Sequence, residues 1–104
     1  MSPNQNSLGE NNSPVCPIDR DVFPMPEDVW NAVAEELSLS TRHRQIVERL
    51  LHNRQTKQIA FDLGSPEATV ETHLKRLYRY HGTGGRNGLL LLIFRLAMRI
   101  TATN

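Results

Sequence analysis

Residues 56–80 read TKQIAFDLGSPEATVETHLKRLYRY, two apolar stripes at helical spacing with one glycine between them. Ile59, Ala60 and Leu63 form the first stripe, on a short helix predicted over 56–63. Gly64 suits the left-handed conformation that ends a helix. Ser65 is a cap candidate, Pro66 fits the first helical position and Glu67 favours the positive end of the dipole. Val70, Leu74 and Leu77, extended by His81, form the second stripe on a helix over 66–80. Two helices joined by so short a turn describe a helix-turn-helix.

The outward face of the second helix carries Ala68, Glu71, Thr72, Lys75 and Arg79, with Thr69 and Arg76 beside it. Small groups near the N-terminus admit a helix end into a DNA major groove, and long basic ones further along reach phosphates or guanine edges. Thr56 and Lys57 stand at the start of the preceding helix. Alone, Lys57, Lys75, Arg76 and Arg79 would describe no more than a solvated face. The helix-turn-helix context is what turns them into a candidate double-stranded DNA surface.

Outward from this unit, a helix over 41–52 buries Ile46, Val47, Leu50 and Leu51, with Ser38, Ser40 and Thr41 as cap candidates. Arg42, Arg44, Glu48 and Arg49 are expected to point outward. A short amphipathic helix over 27–37 presents Val29, Trp30, Val33, Ala34 and Leu37. Residues 1–26 hold five of the six prolines and show no apolar period, which predicts a flexible acidic tail. Three units follow: the tail 1–26, the short helix 27–38, and a DNA-binding and dimerisation domain 39–104.

The last helix, over 86–101, is apolar on every side from Leu89 to Phe94. A domain of this size cannot bury all sides of a terminal helix. Leu90, Leu91, Phe94 and Met98 are therefore the expected dimer interface, most simply with a second copy.

Composition narrows the classes. In 104 residues the single cysteine, Cys16, excludes an internal disulfide and a cysteine zinc site. The apolar run Leu89–Phe94 is far short of the ~20 residues of a membrane span, and the N-terminus shows no leader pattern. A cytoplasmic protein is expected. The net charge of +1 hides a split: residues 1–38 set Arg20 against seven acidic groups, whereas residues 39–104 set eleven basic groups against four acidic. The cationic part calls for a polyanionic partner, and the acidic tail is expected to compete for it. No nucleophile with a base, paired acids, helical histidine pair or phosphate-cradling loop emerges, so neither an enzyme, a metal site nor a cofactor is expected.

Residues 39–92 resemble the LuxR/FixJ-type (GerE-like) helix-turn-helix domain of bacterial transcription regulators, in its stand-alone form. The resemblance rests on Leu39, Ser40 and Arg42, then Val47 to Leu51, Lys57, Ile59 and Ala60. It continues through Leu63, Gly64, Thr69, Val70, His73, Leu74, Gly82, Arg86 and Leu89, without insertion or deletion. It implies an all-α, four-helix bundle, here preceded by one extra helix and a disordered tail. It also implies a third helix that reads the groove and a fourth that dimerises. Lys57 and Thr69 would face phosphates, and Glu71, Thr72 and Lys75 the base edges.

The chain departs from the pattern at Ser65, Pro66, Glu71 and His81. Ser65 in place of an aliphatic residue predicts a groove-reading helix that starts one residue early. Glu71 in place of a lysine favours cytosine and repels phosphate. The leading expectation is a dimeric sequence-specific regulator. One alternative is an interaction module that pairs through its last helix with a larger regulator and blocks it. Another is a promoter-recognition fragment that binds RNA polymerase.

Overall fold

The computed structural model describes residues 23–103, and the expected tail therefore lies largely outside the described residues. The described chain is all-helical. Five helices follow in order: α1 Glu27–Glu36, α2 Thr41–Leu51, α3 Thr56–Leu63, α4 Glu67–His81 and α5 Arg86–Thr103. They pack α3 on α4, α1 on α5, and α2 and α5 on α4. Trp30, Val33, Ile46, Val47, Ile59, Leu89 and Ile93 are fully buried, and they draw on every helix except α4. The recognition-type helix adds Val70, Leu74 and Leu77 from one stripe.

The helices α1 to α4 end in the same way. Ser38, Asn53, Gly64 and Gly82 have φ of 55°, 61°, 64° and 66°. The next residue in each case donates its N–H five residues back, Leu39 to Ala34, Arg54 to Arg49, Ser65 to Ala60 and Thr83 to Tyr78, at 3.0 Å each. This Schellman-type closure satisfies orphan carbonyls at a helix end. Ser38 thus terminates α1 instead of capping α2, a task left to Ser40, whose hydroxyl accepts from the His43 N–H.

The start of α4 differs from expectation for the same reason. The Ser65 N–H is engaged in closing α3, and its side chain does not cap α4. Pro66, in extended backbone at φ −62° and ψ 146°, is the N-cap, and the helix begins at Glu67, not one residue early. Pro26 occupies the same cap position before α1.

Two of the four side chains expected to point out of α2 are instead inside: Glu48 is 7% and Arg49 2% exposed. The Trp30 indole N–H donates to Glu48 at 2.9 Å, tying α1 to α2. Arg49 Nε lies 3.7 Å from Asp62, a buried carboxylate on α3. Arg54 donates to both Asp62 oxygens, at 2.8 and 2.6 Å, and Arg86 of α5 donates to the Arg54 carbonyl at 2.7 Å. A chain of alternating charge, Glu48, Arg49, Asp62 and Arg54, therefore runs from α2 to α3, with Trp30 joining α1 to it. Opposite partners make such burial tolerable.

Candidate nucleic-acid interface

The face of α4 left after its apolar stripe is committed is open to solvent. Ala68, Thr69, Glu71, Thr72, Lys75, Arg76 and Arg79 are all exposed. A 15-residue helix is about 22 Å long, enough to cross a major groove. The Thr72 hydroxyl donates back to the Ala68 carbonyl at 2.9 Å, which uses its one proton and leaves its oxygen to accept. Lys57 is exposed and Thr56 half-buried in the first turn of α3. That turn is fixed locally, because the Gln55 N–H donates to the Gln58 side chain at 2.8 Å.

Four cations, Lys57, Lys75, Arg76 and Arg79, stand against the one carboxylate, Glu71, among these positions. The left-handed Gly64 and the extended Pro66 hold α3 and α4 in their mutual orientation. The arrangement presents a convex, mostly cationic helix braced by a second helix. It suits the insertion of side chains into a groove.

Leu91, Phe94 and Met98 form an exposed stripe on α5, at 61%, 39% and 67% exposure, while Leu90 is half-buried against the core. Phe94 and Met98 border a groove completed by Pro24, Met25, Pro26 and Val29. Docking of α1 on α5 therefore covers part of the excess apolar surface and leaves this stripe. The N-terminal side of α1 was not among the expected interface residues. Its signal in the sequence, the run Phe23–Pro26, lay inside a segment read as tail.

Behind α4 lies a group that sequence reasoning missed. His43 on α2 and His73 on α4 share a hydrogen bond, Nε2 to Nδ1, at 3.0 Å. Burial holds His43 below its usual range, and the nearby His73, Arg76 and His81 add to that. Burial lowers His81 as well. The two members of the pair are 30 residues apart, with no local pattern to announce them. No described cluster of three or more histidine, cysteine or acidic side chains is placed to hold a metal. No described helix is long and apolar enough to cross a membrane.

Residues 37–92, just over half of the chain, match the family model described as GerE: bacterial regulatory proteins, luxR family. No curated protein and no solved structure matches the chain.

Proposed function

From the premise that the chain belongs to the luxR family of bacterial regulatory proteins, with its DNA-binding helix-turn-helix domain, we propose a homodimeric, sequence-specific transcription regulator. Each subunit places α4 in one major groove, with half-sites about one helical turn apart. Glu71, Thr72 and Lys75 face base edges, while Thr56, Lys57, Thr69, Arg76 and Arg79 serve the phosphates and Ala68 admits the helix. The observation that carries this reading is the exposure of all seven of the α4 positions on one face. The dimer forms through Leu91, Phe94 and Met98, with Leu90 at its edge. The activity is binding in the cytoplasm, without catalysis or cofactor.

Fluorescence anisotropy of the full chain on duplex DNA, across a salt series, tests it. Binding should fall linearly on a log–log plot with a slope of about −0.9 per phosphate neutralised. Lys75→Ala should cost about 1–3 kcal/mol on a selected operator and relax base preference at one position. Unchanged affinity and selectivity would remove Lys75 from the base-reading set. The exposed α5 stripe also favours a second reading, in which the chain pairs with a larger relative and blocks it. A folded chain that dimerises yet ignores DNA at low salt would select that reading.

A further inference from the structure

We propose that the cavity between the α1–α2 turn and the C-terminal half of α4 binds a small organic monocarboxylate with an apolar body. The cavity is about 480 Å³, within the range of small-ligand sites. One wall is apolar, made by Leu37, Leu77 and the Tyr80 ring. The other is cationic or protonatable, made by Arg76, Arg79, His43 and His81, and no carboxylate lines it.

Each wall asks for a different part of the same molecule. Arg76 and Arg79 sit three residues apart on α4, and neither has a carboxylate partner among the described residues. A guanidinium presents a planar donor fork that matches a carboxylate. The His81 ring, on the same wall, packs edge-on against Tyr80 at 4.9 Å. Inorganic phosphate, or a phosphate of DNA, offers nothing to cover the Tyr80 ring, which is 77% exposed.

The site also couples to protons. The groups facing His43 and His81 are His73, Arg76, Arg79 and Tyr80, every one cationic, protonatable or neutral. Nothing in the empty cavity favours charged imidazoles, and burial works against them. A bound carboxylate reverses that balance and draws a proton onto a histidine. Affinity therefore rises as pH falls, by about tenfold per pH unit for one proton taken up, within the histidine range.

Calorimetric titration of the full chain with sodium benzoate, at about pH 6 and pH 8, tests this, with inorganic phosphate as the comparison. One saturable site per chain is expected for benzoate, tighter at the lower pH, with phosphate at least about tenfold weaker. Arg76→Gln and Arg79→Gln should each weaken benzoate several-fold while the far-UV spectrum and melting stay as in the parent. His81→Phe, which retains a ring against Tyr80, should flatten the pH dependence. Absence of saturable benzoate binding by a cooperatively folded chain overturns the proposal. So does equal binding of phosphate, or indifference to both arginine substitutions. None of these readouts involves DNA, so failure here is distinct from failure of the regulator reading.

Discussion

Replacement of Asp62 by asparagine keeps the shape of the side chain and removes the charge on which two arginines converge. Asp62 is 4% exposed, Arg49 2%, and the Arg54 pairing is two-pronged. Removal of one partner from a buried pair costs about 3–5 kcal/mol, because the charge left behind stays buried. Arg54, whose side chain is 36% exposed, can turn to water, which moves the expectation to the low end, about 3 kcal/mol. A domain of this size has about 4–12 kcal/mol of stability in all. Asp62→Asn should thus lower the melting temperature by about 12–24 °C.

Urea unfolding followed by far-UV circular dichroism measures the loss directly. Arg54→Met, which leaves the Arg49–Asp62 contact in place, should cost less. The double variant Arg49→Met with Asp62→Leu should also cost less than Asp62→Asn, since no buried charge is then orphaned across that contact. A loss below about 1 kcal/mol for Asp62→Asn, the scale of an exposed ion pair, would refute the view that this network holds α2 to α3.

Stability should fall on mild acidification. His43 and His81 are held below their usual range in the fold, so the unfolded chain takes up protons first as pH drops through 6.5. The decline ends once the folded histidines are themselves protonated, and urea midpoints that rise from about pH 7 to pH 6 would contradict it. At Gly88 an added Cβ would meet the Thr83 carbonyl oxygen at 2.1 Å. Gly88→Ala should therefore cost about 1–3 kcal/mol by forcing the α4–α5 loop off the first turn of α5, and a neutral result in thermal melts would deny that close approach. Phe94→Glu places a charge in the exposed α5 stripe and should convert the proposed dimer to a folded monomer by light scattering. Retention of the dimer would move the interface elsewhere.

What the sequence discloses here is what local chemistry determines. Gly64 and the helical stripes of α3 and α4 depend on neighbours within one or two turns, and each stands where its pattern puts it, while Ser40 is the one of three cap candidates that serves. Cap positions misled wherever two duties met in one residue. Ser65 suits a cap by residue type, yet its backbone is spent on closing α3. Arg49 and Glu48 misled for another reason: polar residues on the flank of an apolar stripe read as outward. Their burial depends on Asp62 and Trp30, which lie 13 and 18 residues away. The His43–His73 pair is further still from any local signal. The outward face of α4 was legible because exposure there is simply the complement of the core stripe.

Trp30 is the only tryptophan in the chain and is wholly buried where α1 meets α2. Its indole N–H is held by Glu48, and the Arg44 guanidinium carbon lies 5.7 Å from the ring centre. An indole so enclosed emits at shorter wavelength than one in water, and nearby charge tunes that emission. Release of α1 alone would shift the light to the red while the other helices keep their ellipticity. The chain thereby carries its own optical gauge of whether α1 is seated, readable without any label.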